Sequence, residues 1–319
     1  MEQFPTEIIL DIAAYLDLTG DKPALASLAT CSRKYVKIVR PILFRTVCPL
    51  TDTQTSRLLL TLGTKVGISA LLKELILSTT LSKLVTDHLL PEILENGQLI
   101  HLEVLRFQQP CLPSPGTDRF HRLARAVTCN SFFPALRVLE VTSYRLAHEI
   151  KANNKLTSSS FPKLEELYLG GKLTFGLAVL PRLRALQARI TSADLDRPFP
   201  ASNLQYLYTP SSIVTFRYLE QLSAVTGGRL PSLECPGRTP WNLSTTLEEN
   251  GKSFEWMGEA FPQLRYLGTV WIHQEMVSRT NDDSTTWITI VIISRQSLAP
   301  LKMIIQAQCF HNWFFTCPD

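Results

Sequence analysis

From residue 70 onward the chain repeats the phrase Leu-x-x-Leu-x-apolar, and no other feature restricts its fold as strongly. The phrase reads Leu72-Lys-Glu-Leu75-Ile-Leu77, Leu102-Glu-Val-Leu105-Arg-Phe107, Leu136-Arg-Val-Leu139-Glu-Val141 and Leu164-Glu-Glu-Leu167-Tyr-Leu169. It continues as Leu183-Arg-Ala-Leu186-Gln-Ala188, Leu204-Gln-Tyr-Leu207-Tyr-Thr209 and Leu264-Arg-Tyr-Leu267-Gly-Thr269. Five copies of a second signature, apolar-Pro-x-Leu, begin at Phe133, Phe161, Leu180, Leu230 and Phe261. First leucines are spaced by 30, 34, 28, 19 and 21 residues, then by 60, with a degenerate copy at Leu230-Pro231-Ser-Leu233 inside that last gap. Strand side chains alternate between faces, so each phrase sends its leucines one way and the residues flanking the second leucine the other. A unit of this length cannot bury its apolar face alone, and stacked neighbours make one continuous core. The pattern predicts parallel strands in an α/β array. Helix-like stretches at 117–128 and 212–225 would cover the leucine side, and polar segments at 153–160, 236–246 and 278–286 would form surface loops. A leucine-rich α/β domain without true repeats is the competing description.

The first fifty residues differ in kind. Pro5 precedes a run in which Ile8, Ile9, Ile12 and Leu16 recur at helical spacing. Proline suits the first turn of a helix, where no intrahelical N–H bond is lost. Thr19 to Pro23 ends that element. A second helix is expected through Leu25, Leu28, Ala29 and Cys31, and a third through Tyr35, Val36, Ile38 and Val39 to Pro41, with Leu43 and Phe44 closing a small core. Charge is segregated: Glu2, Glu7, Asp11, Asp17 and Asp21 give way to Arg33, Lys34, Lys37, Arg40 and Arg45. About 45 residues make a marginal core, so such a unit needs a partner surface.

Phe4-Pro5-Thr6-Glu7-Ile8-Ile9 with Ile12 and Leu16, then Leu25 to Tyr35, then Pro41-Ile42-Leu43-Phe44-Arg45, resemble the three parts of an F-box in order and spacing. Phe4 stands where leucine is usual and Tyr35 where tryptophan is common. The later phrases resemble irregular, fungal-type leucine-rich repeats of the sort that follow an F-box. The resemblance implies a three-helix F-box at 1–47, a linker helix at 48–69 and a leucine-rich-repeat solenoid of parallel strands with convex-side helices at 70–286. Residues 287–319 do not fit the array and are expected to be a C-terminal cap, since an uncapped array exposes its core, or a poorly ordered tail. The resemblance also implies a non-catalytic subunit that docks through the F-box onto the adaptor of a cullin-RING (SCF) ubiquitin ligase, and through it the cullin, and that captures a protein substrate on its repeats. The alternative is a protein-interaction scaffold acting outside any ligase. Phe4, Pro5, Ile8, Ile9, Ile12, Leu16, Leu25, Leu28 and Phe44 are the candidates for the adaptor interface and the F-box core together. The spacing does not divide them between the two. On the concave strand face the candidate substrate-binding residues are Arg106, Glu140, Tyr168, Gln187, Arg189, Tyr206, Tyr208 and Tyr266, since Tyr and Arg dominate binding energy at interfaces.

Composition excludes other classes. Hydrophobic residues at 45% against 19% charged rule out global disorder. A net charge of +4 from 32 basic and 28 acidic residues does not by itself indicate nucleic-acid binding. Seven dispersed cysteines without a CxxC pair fit neither a disulfide scaffold nor a zinc ribbon and suit a reducing compartment. The N-terminus lacks a secretory signal pattern. The longest membrane-like run, Trp287 to Ile293, is seven residues, far short of the ~20 a spanning helix needs. A cytoplasmic or nuclear location is expected. The six histidines are scattered, and no HExxH, GxSxG, P-loop or GxGxxG is present. No catalytic residue, metal site or cofactor is expected.

Overall fold

Helix starts are written plainly into the N-terminal segment. In the computed structural model, Asp21 caps α2 (Lys22–Cys31) by accepting a hydrogen bond from Ala24 N at 3.0 Å, and Ser32 caps α3 (Arg33–Leu43) through Lys34 N at 3.1 Å. Pro5 is the residue just before α1 (Thr6–Leu18) rather than its first turn, and its carbonyl accepts from Ile9 N. The third helix runs past Pro41 to Leu43, because proline near a C-terminus forfeits only one late hydrogen bond. Ile9, Ala13, Leu25, Tyr35 and Val39 form the centre of the three-helix core, with Leu16, Leu28, Ile38, Ile42 and Leu43 packed around them.

The structure describes residues 4–77, 81–82, 84–96, 99–108, 121–128, 133–142, 146–147, 161–172, 180–191, 195, 203–209, 216–234, 256, 258–268, 288–293 and 303–307. The chain divides into two compact units, Met1–Leu164 and Glu165–Asp319.

In the first unit each leucine phrase becomes a strand. β1 (Thr46–Val47) pairs with β2 (Glu74–Leu77), which pairs with β3 (Val104–Phe107) and then β4 (Val138–Val141), all parallel and in register. The sheet therefore begins at Thr46, within the residues that the F-box resemblance covers. Second leucines stack on one another: Leu75 pairs with Leu105 and Leu105 with Leu139, and all three are fully buried. Fully burying one such side chain contributes roughly 1.5–3 kcal/mol. Helices follow the strands on the leucine side. α4 (Asp52–Thr64), in the expected linker, is capped by Thr51 and turns Leu59 and Leu62 inward. The short α5 (Val66–Ser69) leads into β2. A π-helical turn (Val85–Leu89) runs into α6 (Leu90–Glu95), and α7 (His121–Thr128) occupies the end of the stretch read as helical.

The second unit repeats the plan. β5 (Glu166–Lys172), β6 (Ala185–Arg189), β7 (Tyr206–Tyr208), β8 (Ser232–Glu234) and β9 (Tyr266–Gly268) pair in parallel in chain order. The degenerate phrase at Leu230 supplies β8. α8 (Phe216–Thr226) is the second expected helix. Its Tyr218 hydroxyl meets buried Thr209 Oγ1 at 3.1 Å, which satisfies a polar residue standing in an apolar phrase position. The parallel series then ends: β10 (Ile288–Ile293) and β11 (Met303–Ala307) add antiparallel, β10 against β9 and β11 against β10. The expected polar loops at 153–160, 236–246 and 278–286 lie outside the described residues.

The proline signature has a structural cause. Leu136 N donates to Phe133 O, Leu164 N to Phe161 O, Leu183 N to Leu180 O and Leu264 N to Phe261 O, at 3.0 to 3.2 Å. Each is a four-residue turn with proline in the second position, where its fixed φ is already correct. The apolar first residue is buried in every case. The signature therefore folds the chain sharply into each strand and pins the entry with a core side chain. Gly227 and Gly228, with φ of 57° and 65°, make a different entry into β8. A Cβ on Gly228 would lie 2.8 Å from Ala260 O, whereas one on Gly227 would meet nothing within 4 Å. Gly228→Ala should cost roughly 1–3 kcal/mol from backbone strain alone, plus the clash. Gly227→Ala should cost less, so the urea midpoints of the two variants must differ in that order.

Candidate interaction surfaces

The helix period decides which of the N-terminal apolar residues can meet a partner. Ile9 and Ala13 point inward, and Ile9 is 1% exposed, whereas Ile8 is 44%, Ile12 41% and Tyr15 65% exposed. Ile8, Ile12 and Tyr15 are spaced i, i+4, i+7 and so share one face of α1, which Phe4 and Leu18 extend at either end. Phe4, Pro5, Ile8 and Ile12 are thus on the surface, Ile9 and Leu25 belong to the interior, and Leu16, Leu28 and Phe44 are half-buried. Interior Ile9 and Leu25 are thereby withdrawn from the candidate interface. Tyr15 and Leu18 were missed as candidates, although their spacing from Ile8 is visible in the sequence. Arg33, Lys34, Lys37 and Arg40 are exposed on α3, and Glu7 and Asp11 on α1.

On the open face of the first unit the candidates Arg106 and Glu140 are register partners and hold each other. Arg106 Nη1 donates to Glu140 Oε2 at 2.8 Å, and Arg106 Nε lies 3.8 Å from Glu74 Oε1. Gln108 reaches the same Glu140 oxygen at 3.5 Å, and Thr46 Oγ1 donates to Glu74 Oε2 at 3.1 Å. Arg106 Nε is buried without a hydrogen-bond partner among the described residues. Much of this face's charge is compensated internally.

The open face of the second unit is different. Its register sets Tyr168, Gln187, Tyr208 and Glu234 in one row and Glu166, Ala185, Tyr206 and Ser232 in the next. The Tyr206 hydroxyl donates to Glu234 Oε2 at 3.0 Å, and the Tyr168 hydroxyl to Glu166 Oε2 at 2.9 Å. Burial pushes the Tyr206 hydroxyl well above its ordinary value, with the Glu234 charge and hydrogen bond adding to it. Burial, then Glu234, raises Tyr208 as well. The shift favours the neutral hydroxyl in both, and that of Tyr206 is the donor to Glu234. Half-buried tyrosines fixed by carboxylates present large rigid apolar area at little entropic cost, which suits protein contact. Arg189 is exposed at the end of β6, across from Lys172. Tyr266 sits in β9 opposite Ser232, and its side chain lies outside the described residues. Glu234 went unrecognised because its phrase is degenerate, yet the pair Leu230 and Leu233 marks its strand.

Among the described residues no group of three or more His, Cys, Asp or Glu side chains could hold a metal ion. No helix among them is long and apolar enough to cross a membrane. No protein-family model matches the chain, and no curated protein matches it.

Proposed function

We propose that this chain is a non-catalytic substrate-recognition adaptor. Its N-terminal three helices act as an F-box that docks onto the adaptor subunit of an SCF-type ubiquitin ligase in the cytoplasm or nucleus. Its strand array acts as a leucine-rich-repeat domain that presents a protein substrate for ubiquitylation by an associated enzyme. The observation that carries this reading is the face of α1. Phe4, Ile8, Ile12, Tyr15 and Leu18 stay exposed although the same helix has a complete inward face in Ile9 and Ala13. A contiguous exposed apolar patch marks a surface that another protein covers. The exposed basic residues of α3 favour an acidic partner, chiefly by speeding association. Tyr168, Tyr206 and Tyr208 are the proposed substrate anchors.

Affinity purification of the full chain, probed for the SCF adaptor and the cullin, tests the proposal directly. Recovery of both supports it. Recovery of protein partners without either leaves only an interaction scaffold. Tyr206→Ala with Tyr208→Ala should weaken substrate capture by more than about 1 kcal/mol per anchor while adaptor recovery stays unchanged. Undiminished capture by that folded double variant moves the substrate site off this face.

A further inference from the structure

A position before each strand relays the backbone ladder from one strand to the next, and its side chains line the N-terminal rim of each sheet. In the first unit this row reads Arg45, Lys73, Glu103 and Arg137: Glu103 N donates to Lys73 O at 2.7 Å and Arg137 N to Glu103 O at 2.8 Å. Its charges answer one another. Lys73 Nζ lies 2.9 Å from Glu103 Oε1, and that hydrogen bond holds the Glu103 carboxyl below its usual range, with burial opposing and the charges of Arg137 and Arg45 helping.

The equivalent row of the second unit reads Glu165, Arg184, Gln205, Pro231 and Arg265, tied by Gln205 N to Arg184 O and Arg265 N to Pro231 O, both at 2.7 Å. Two residues upstream stand Arg182, Asn203 and Arg229. Together they border a cavity of about 510 Å³ lined by Arg182, Arg184, Arg229, Asn203, Gln205 and the lone carboxylate Glu165, among others. Three guanidiniums thus face one carboxylate. None of the three is in an ion pair among the described residues, unlike Lys73 at the matching rim of the first unit. The fold holds the basic residues there. Arg182 occupies the turn after Pro181, whose carbonyl accepts from Asn203 Nδ2 at 2.6 Å. Arg229 directly follows the two left-handed glycines, and its N–H donates to Thr226 O at 3.1 Å. Three like charges brought together against a single carboxylate repel one another, and an anion in the cavity reduces that repulsion. The planar guanidinium fork matches phosphate oxygens in pairs.

We propose that this rim of the second unit is a phosphate-binding site, with Arg182, Arg184 and Arg229 as its donors. The phosphate is borne either by a small polyphosphate or by a phosphorylated protein side chain. The site is separate from the tyrosine face and does not depend on the F-box reading.

The test is calorimetric titration of the full chain with inorganic pyrophosphate at low ionic strength. Saturable binding is expected, weakening as salt is added and falling at least tenfold in Arg184→Gln with Arg229→Gln. These side chains are exposed, so the variant should keep its circular dichroism; Arg182→Gln alone serves as a second variant and should weaken binding several-fold. A phosphoserine peptide that displaces pyrophosphate, where its unphosphorylated form does not, identifies a protein-borne phosphate. Failure of the peptide to compete, with pyrophosphate still bound through the arginines, identifies a small polyphosphate. Absence of saturable binding, or equal binding by the double variant, overturns the proposal.

Discussion

An Ile8→Asp, Ile12→Asp double variant is expected to lose co-purification with the SCF adaptor while the chain remains folded. Both side chains are already more than two-fifths exposed, Ile8 at 44% and Ile12 at 41%, so the free chain loses little. Surface changes of this kind usually shift stability by no more than about 0.5 kcal/mol. Binding is another matter. Two carboxylates pressed into an apolar interface without counter-charges cost several kcal/mol, on the order of a thousandfold or more in affinity. The neighbouring Ile9 separates docking from folding. It is 1% exposed within the three-helix core, and Ile9→Ala should cost about 2–5 kcal/mol of stability. Circular dichroism melts read the second effect, and pull-downs with purified adaptor read the first. If the folded Ile8, Ile12 variant still captures the adaptor at normal affinity, the F-box assignment fails.

Phe133→Ala should strongly destabilise the first unit. Phe133 is wholly buried, and its ring stacks on that of Phe161 with centroids 6.5 Å apart and planes inclined by 20°. Truncating a buried phenylalanine costs about 3–5 kcal/mol, and the lost aromatic pair about 0.5–1.5 kcal/mol of that. A domain is typically stable by only 5–15 kcal/mol, so the variant should unfold at much lower urea. Pro134→Ala makes the contrast. Pro134 is exposed and its contribution is the preset φ of the turn, which is worth about 0.4–1 kcal/mol through the unfolded chain. Losses of similar size for the two variants would show that the apolar-Pro-x-Leu signature acts through its turn and not through its buried anchor.

Much of the architecture could be read without coordinates because it rests on local periodicity. The Leu-x-x-Leu phrase specifies both the strand and the face that goes inward, so β2 to β7 and β9 fall where the phrases lie, with the leucines of β2 to β7 buried as the alternation requires. Capping residues Asp21 and Ser32 likewise mark their helices through contacts only two or three residues long. The aromatic rows of the second unit were half visible: Tyr168, Tyr206 and Tyr208 flank their leucines in the sequence, whereas Glu234, which receives the Tyr206 hydroxyl, is hidden in the degenerate copy.

What the amino-acid sequence by itself determined is therefore the inward face of each leucine-phrase strand, together with the order of the elements along the chain. Tertiary structure alone decided which outward-facing residues meet. Arg106 and Glu140 are 34 residues apart, and only parallel pairing in one register brings them into a 2.8 Å contact that consumes the charge of both. Ile8 and Ile9 are chemically identical, and only the packing of α2 and α3 against α1 sends one to solvent and the other to the core. Arg182, Arg184 and Arg229 read as scattered surface charge until strand stacking sets them around one cavity. Burial follows a period of two or 3.6 residues and is a local property. Cross-strand neighbours depend on register between distant segments, which the packing of the whole core selects.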